Sequence, residues 1–316
     1  MPKIPSQPPF VFLGLEGPQA EIASSHYLLL PVPYDATTSY RAGARYGPEA
    51  IIAASRFVEL YDEELGFEPC RSGIHTLRPV EPDSKGIDPT LRRIYRAARS
   101  ALSTGKVLIS IGGDHSISPP LVKAHAERHG RIHVLQFDAH SDLRDSYGGS
   151  RHSHACAARR MAEYAPVTGV GIRSMTASCA RLVKRDPRFT LVTAREIRQD
   201  PDWIGRVISS LGEKVYVSFD LDALDPSIMP ATGTPEPGGL LWHETIALLR
   251  EVARQRTIVG ADVVELSPMP PLHAPDFLAA RLVYKIIGYI QESRRKHTYP
   301  RIAEMAPTYR FPKTSS

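Results

Sequence analysis

The sequence predicts one α/β domain in which helices cover both faces of a mostly parallel β-sheet, a three-layer αβα sandwich. Short apolar, β-branched segments alternate with longer segments of helical periodicity along most of the chain. Segments such as VLISI and VYVSF are apolar on both faces, as expected of strands that helices cover on both sides. Because no internal repeat or linker divides the chain, we expect one domain over residues 1–292 and a basic extension over 293–316.

The individual elements follow from the period of their apolar residues. Runs rich in Val, Ile, Leu, Phe and Tyr, bounded by polar residues or glycine, predict strands at 24–33, 106–111, 131–137, 190–193, 214–219 and 257–266. Apolar residues spaced three or four apart predict helices at 47–65, 88–105, 118–130, 154–164, 201–212, 240–256 and 275–290.

The composition is that of an ordinary globular protein, at 42% hydrophobic and 23% charged residues. The net charge is +5, but residues 291–316 carry six Lys/Arg against two Glu, so the rest is close to neutral. We therefore expect neither a nucleic acid nor a membrane partner. No apolar run reaches the length of a transmembrane helix, and the N-terminus lacks the apolar stretch of a secretory signal. Three cysteines without a CxxC pair are typical of a reducing cytoplasm.

Polar clusters follow several predicted strands. They are GGDHS at 112–116, DAHSD at 138–142, DLDALD at 220–225 and Glu265. Because parallel strands end at one edge of a sheet, these segments are expected to converge there. Turn and cap chemistry is the simpler explanation for any one of them. It accounts for one acidic residue per loop, but not for four carboxylates with two histidines (Asp138, Asp142, Asp220, Asp222, His115 and His140).

The charge of this cluster predicts its cofactor. Four carboxylates carry roughly −4, which two divalent cations would neutralise and one would not. Carboxylate oxygens with one imidazole per ion favour manganese over zinc, since no cysteine belongs to the cluster. Two ions roughly 3.5–4 Å apart can share a water and lower its pKa, which indicates hydrolysis.

The motifs GGDHS, FDAHSD, SFDLDALDPS, ATGTPEPGG and DVVEL, in this order, resemble those of the ureohydrolase family, which includes arginase and agmatinase. The resemblance implies an arginase-like fold with two manganese ions and an assembly of three or six copies. It implies one ion held by His115, Asp138, Asp142 and Asp220, and another held by Asp138, His140, Asp220 and Asp222.

The resemblance also implies three catalytic residues. Glu265 corresponds to the carboxylate that binds the guanidinium group, and His154 to the histidine that protonates the leaving amine. His152, two residues away, remains the alternative for that histidine. Asp142 would accept a hydrogen bond from the attacking hydroxide. The expected products are urea and a primary amine.

Agmatine is the expected substrate, because TTSYRAGARYGPEAI and DAHSDLRDSYGGSRHSHA are similar to agmatinase segments. The second segment lacks the Asn-bearing loop, SGNLHG, with which arginases bind a free amino acid. The alternatives are guanidino acids such as guanidinobutyrate, with Arg151 as the residue that would receive their carboxylate, or arginine itself, as in an arginase.

Other classes of protein fit the motifs less well. A metallophosphoesterase needs a later Gly-Asn-His-Asp segment, and a serine hydrolase needs a GxSxG elbow; the chain has neither. Deacetylases of the related fold use one zinc ion, whereas His115 and Asp142 complete a second ligand set. A non-catalytic homologue that kept the fold is the remaining alternative.

Overall fold

A parallel sheet forms the centre of the protein. The computed structural model describes residues 10–298, with side chains to residue 295. Its strands are β1 (Tyr27–Val32), β2 (Ile74–Thr76), β3 (Val107–Gly112), β4 (His133–Phe137), β5 (Val167–Ile172), β6 (Phe189–Thr193), β7 (Lys214–Asp220) and β8 (Thr257–Val264). Their order is β2-β1-β3-β8-β7-β4-β5-β6, and every neighbouring pair is parallel.

Helices cover both faces of this sheet. They are α1 (Gly47–Ser55), α2 (Ile87–Ser103), α3 (Ser118–His129), α4 (Ala157–Met161), α5 (Ala177–Val183), α6 (Ala194–Gln199), α7 (Trp203–Ser210), α8 (Trp242–Gln255) and α9 (Ala274–Thr298). Successive strand residues point to opposite faces. In β1, Tyr27 and Leu29 pack in a core with α1 and α6–α9, whereas Leu28 and Leu30 pack in a second core with α2–α5. The predicted three-layer sandwich is confirmed.

Four elements, β2, β5, α5 and α6, are additional to those predicted. β5 contains two glycines, which are uncommon inside strands. A Cβ at Gly169 would lie 2.8 Å from Cδ2 of Leu191. Gly171 has φ +89°, and a Cβ there would lie 3.3 Å from the carbonyl oxygen of Asp138. Close packing therefore requires glycine at positions where strand propensity disfavours it.

The helix predicted over 47–65 is wrong in its second half, because α1 ends at Ser55. Asp62 organises the following loop. Its Oδ1 accepts hydrogen bonds from the amides of Glu64 and Leu65, at 3.1 Å each, and from Nζ of Lys285 at 2.8 Å. A carboxylate that binds its own turn and a buried lysine favours the loop over a longer helix.

The last helix, α9, crosses the predicted domain boundary at residue 292 and continues to Thr298. The rest of the predicted basic extension, 299–316, lies outside the described residues. Within residues 10–298, no helix combines the length and apolarity needed to cross a membrane.

Candidate metal centre

Four adjacent strands, β3, β8, β7 and β4, deliver the predicted site residues to one edge of the sheet. Each residue ends its strand or follows it within a few positions. Listed by strand, they are His115 after β3, Glu265 after β8, Asp220 and Asp222 at β7, and Asp138, His140 and Asp142 after β4. Strands distant in sequence are neighbours here, which brings the residues together.

The first cluster surrounds His115, whose side chain is fully buried. Its Nδ1 lies 3.2 Å from Oδ2 of Asp138, 3.2 Å from Oδ2 of Asp142 and 3.3 Å from Oδ2 of Asp220. This nitrogen has no hydrogen-bond partner. Three carboxylate oxygens thus lie within 3.3 Å of one free imidazole nitrogen, a donor set that could hold a cation.

The second cluster surrounds His140. Its Nδ1 lies 2.8 Å from Oδ2 of Asp222 and 3.7 Å from Oδ1 of Asp138. Ligand atoms of His140, Asp138 and Asp222 lie within 4.8 Å of one another, as do those of His115, Asp138 and Asp220. Asp138 belongs to both groups, so two ions there would share it.

Burial makes this set of carboxylates unfavourable without added positive charge. It raises the pKa of Asp142 to about 6, and the charge of Asp138 adds to that shift. Burial and neighbouring carboxylates also raise the pKa of Asp220 and Asp222. For Asp138, burial acts in the same direction, but the nearby imidazoles of His115 and His140 outweigh it and lower the pKa. Oxygen donors with one imidazole per cluster fit hard divalent cations.

A buried chain of hydrogen bonds holds the other ring nitrogen of His115. Its Nε2 lies 3.0 Å from Oγ of Ser218, which donates to Oδ1 of Asp262 at 2.8 Å. The hydroxyl of Tyr216 donates to the other Asp262 oxygen at 2.6 Å. Such partners fix the tautomer of a metal-binding histidine. Sequence reasoning missed Asp262, although an acidic residue inside the apolar run TIVGADVV was a signal.

Glu265 and His154 lie beside the two clusters. Oε1 of Glu265 accepts the His115 amide at 2.8 Å and lies 3.2 Å from Nδ1 of His154. Glu265 and Asp142 both have positive φ, 67° and 47°, which is uncommon for non-glycine residues. Burial lowers the pKa of His154, but its hydrogen bond to Glu265 outweighs this and raises the pKa to about 9.

His152 and Arg151, the alternatives that the sequence left open, both lie outside the candidate site. Nε2 of His152 lies 3.5 Å from Asp88, away from both clusters. Arg151 is largely exposed and lies 3.6 Å from Glu163, and it does not line the cavity that opens onto the clusters. Arg144 lines that cavity instead, with its guanidinium 4.9 Å from the centre of the Tyr147 ring.

Two further acidic residues near the motifs support loops. Asp114 caps the turn after β3 by accepting the Ser116 amide at 3.1 Å, and it also accepts the amide and hydroxyl of Thr37. Asp145 pairs with Arg160 at 2.8 Å.

A cavity of about 200 Å³ leads from the surface to the clusters. Its inner part is formed by His140, Asp142, Asp220, Asp222, His154 and Glu265. Side chains that the sequence did not indicate line the rest, among them Ser39, Arg144, Tyr147, Met175 and Thr176. They come from three separate loops, and Ser39, Arg144 and Tyr147 lie within the segments TTSYRAGARYGPEAI and DAHSDLRDSYGGSRHSHA.

The parallel sheet and the paired ligand clusters define an α/β protein with a candidate two-metal centre. The family model that matches residues 25–288 is described as the arginase family. The N(1)-aminopropylagmatine ureohydrolase of Thermus thermophilus is 42% identical over 85% of this chain and 92% of its own length. The agmatinase of Pyrococcus horikoshii is 33% identical, over 87% and 95% respectively. The crystal structure of the agmatine ureohydrolase of Thermoplasma volcanium matches with a TM-score of 0.78 and 30% identity, covering 90% of this chain and 94% of that chain.

The chain therefore belongs to the arginase family, the ureohydrolases, which are metal-dependent hydrolases with a binuclear centre.

Proposed function

We propose that this protein uses two manganese ions to hydrolyse the guanidino group of an agmatine-like amine, releasing urea and an amine such as putrescine. The observation that carries this proposal is the pair of ligand clusters sharing Asp138, with the Glu265 carboxylate beside them in one cavity.

Each proposed ligand set contains one of the two clusters, with Asp142 added to the first and Asp220 to the second as the family resemblance implies. One ion would be held by His115, Asp138, Asp142 and Asp220, and the other by Asp138, His140, Asp220 and Asp222. The free Nδ1 of His115 supports the first set. The 2.8 Å approach of His140 to Asp222 supports the second. When bound, the ions would supply a nucleophile by lowering the pKa of a water.

The catalytic roles belong to three residues at the inner end of the cavity. Glu265 would bind the planar guanidinium through its carboxylate and hold its carbon over the two clusters. Asp142 would orient the attacking oxygen by accepting a hydrogen bond from it. His154, whose raised pKa keeps it protonated near neutral pH, would donate a proton to the leaving amine.

Agmatine and its N(1)-aminopropyl derivative are the substrates we favour. Both carry a guanidino group at one end and an amine tail that would run toward the cavity mouth. One observation favours a second candidate. Arg144 lines the cavity, and its guanidinium suits the carboxylate of a guanidino acid better than a cationic tail.

Urea release from manganese-loaded protein, after stripping with a chelator, tests these alternatives. Agmatine, N(1)-aminopropylagmatine, arginine and 4-guanidinobutyrate are compared side by side. We expect one of the two amines to be turned over far faster than the acids. A preference for guanidinobutyrate that is lost in Arg144→Met, but kept in the matched variant Arg151→Met, would assign the guanidino acid instead. No urea from any substrate would contradict the proposed function.

The remaining expectations stay part of the proposal. They are a role in polyamine biosynthesis, a cytoplasmic location, a homo-oligomer of three or six copies, no nucleic acid or membrane partner, and one domain over 1–292 followed by a basic extension over 293–316, the first residues of which continue α9. All three cysteines are buried as free thiols, which supports a reducing compartment. Light scattering on the purified protein would test the oligomeric state.

A further inference from the structure

Arg173, directly after β5, connects the end of that strand to the turn at 222–224 and the loop at 236–237, beside the second cluster. Its guanidinium donates to backbone carbonyl oxygens at distances of 2.7–3.3 Å; the acceptors are Gly171, Asp222, Ala223, Leu224, Glu236 and Pro237. The guanidinium has five N–H donors in a fixed plane, so one side chain can hold several carbonyls in a set relation. No ligand motif includes this residue.

One of these acceptors belongs to a proposed metal ligand. The Nη2 atom of Arg173 donates to the carbonyl oxygen of Asp222 at 2.7 Å. The side chain of Asp222 is held separately, because its Oδ1 accepts the Ala139 amide at 2.9 Å. Its Oδ2 is thereby directed at Nδ1 of His140. Arg173 fixes the main chain of Asp222, and Ala139 fixes its carboxylate.

The main chain of Arg173 is attached to the other half of the same cluster. Its amide donates to the carbonyl oxygen of Ala139 at 2.8 Å. Ala139 lies between Asp138 and His140, so Arg173 joins the segment carrying these two ligands to the segment carrying Asp222. The first cluster is supported differently, through Ser218 and Asp262 behind His115.

We propose that Arg173 is a positioning residue that sets the affinity of the His140–Asp138–Asp222 cluster for its metal ion. The inference rests on the proposed two-metal function. Without the guanidinium, the turn at 222–224 and the loop at 236–237 lose their common anchor, and Asp222 loses its set distance to His140. The ion at the first cluster keeps His115, Asp142 and Asp220, so the effect is selective.

Calorimetric titration of the metal-free protein with Mn²⁺ tests this. We expect Arg173→Met to weaken one of two binding steps by roughly 10–100-fold, the usual effect of removing an outer partner of a metal ligand, and to leave the other within about twofold. Arg173→Lys, with one point charge, should weaken the same step less. The matched control is Arg256→Met, because Arg256 also donates to backbone carbonyls, of Ile208, Leu211 and Gln255, far from the site.

A double variant identifies the affected ion. Asp222→Asn should weaken the same step, and adding Arg173→Met to it should cause little further loss. Equal weakening of both steps, no weakening, or the same loss in Arg256→Met would overturn the inference. If Arg173→Met does not fold, Arg173→Lys decides the question alone. Wild-type protein that binds fewer than two ions would instead contradict the proposed function.

Discussion

The Nδ1 atom of His154 lies 3.2 Å from Oε1 of Glu265, although 111 positions separate the two residues in the chain. The same oxygen accepts the main-chain amide of His115. One carboxylate oxygen therefore connects the proposed proton donor with the turn that carries a proposed metal ligand. Glu265 reaches this position with φ 67°, and its own amide donates to Gly113 at 2.8 Å.

Glu265→Gln should lower kcat/KM for urea release by about 100-fold or more, because a neutral amide does not pair with a guanidinium as a carboxylate does. Glu265 lies outside both ligand clusters, so the manganese content should stay at the wild-type value. Steady-state kinetics and elemental analysis of the same samples check both statements. A variant that loses its manganese together with its activity would show that Glu265 acts on the metal centre.

His154→Gln should lower kcat by roughly 10²–10⁴-fold, the usual contribution of a general acid. His152→Gln is the matched control, since His152 is two residues away and faces Asp88 rather than the cavity. It should keep kcat within about twofold. Similar losses in both variants would remove the distinction between the two histidines.

Asp138→Asn should abolish binding of both manganese ions, because Asp138 belongs to both clusters. Asp222→Asn should remove one ion only. Asp186→Asn is the control, since Asp186 pairs with Arg188 on the surface. Elemental analysis after dialysis against manganese gives the number of ions per chain. One ion retained by Asp138→Asn would contradict the shared-ligand arrangement.

Lys285→Met should lower the free energy of unfolding by about 3–5 kcal/mol, because buried Asp62 loses its hydrogen-bonded cation and keeps only Arg281, at 3.9 Å. Nζ of Lys285 lies 2.8 Å from both Asp62 and Glu64. Arg254→Gln, in the exposed pair with Glu251, should cost less than about 1 kcal/mol. Urea denaturation of the metal-free proteins measures both changes. Equal losses of unfolding free energy in the two variants would contradict the larger contribution expected of the buried lysine.

His133→Gln should make stability less dependent on pH below neutrality. Burial lowers the pKa of His133 to about 4 from the ordinary value of 6.5. The unfolded chain then binds more protons in this range, so stability falls as the pH drops from about 6.5 toward about 4. We expect the variant to lose roughly 1–2 kcal/mol less than wild type between pH 7 and pH 5.

The control for His133→Gln is His243→Gln, at an exposed position of α8. It should follow the wild-type pH dependence. Unfolding curves measured at both pH values for all three proteins give the comparison. If the stability of His133→Gln depends on pH as that of the wild type does, a pKa of His133 lowered by burial is contradicted.

The sequence was a good guide wherever structure and chemistry are local. Apolar runs predicted β1, β3, β4, β7 and β8, because a strand buried on both faces must be apolar at successive positions. The same reasoning failed for β5, whose glycines are required by contacts with Leu191 and with the carbonyl oxygen of Asp138. It failed again after α1, where Asp62 binds a lysine more than 200 residues away in the chain.

The candidate ligands were predicted from the sequence alone, because each follows a recognisable strand within a few residues and carries its own charge or imidazole. The tertiary structure decided that His154 rather than His152 faces the cavity, that Arg144 rather than Arg151 lines it, and that Arg173 and Asp262 are hydrogen-bonded to the segments that carry the candidate ligands. These choices depend on strand order and on contacts between segments far apart in the chain. No local pattern encodes such contacts, since they arise only when the sheet places β3, β8, β7 and β4 side by side.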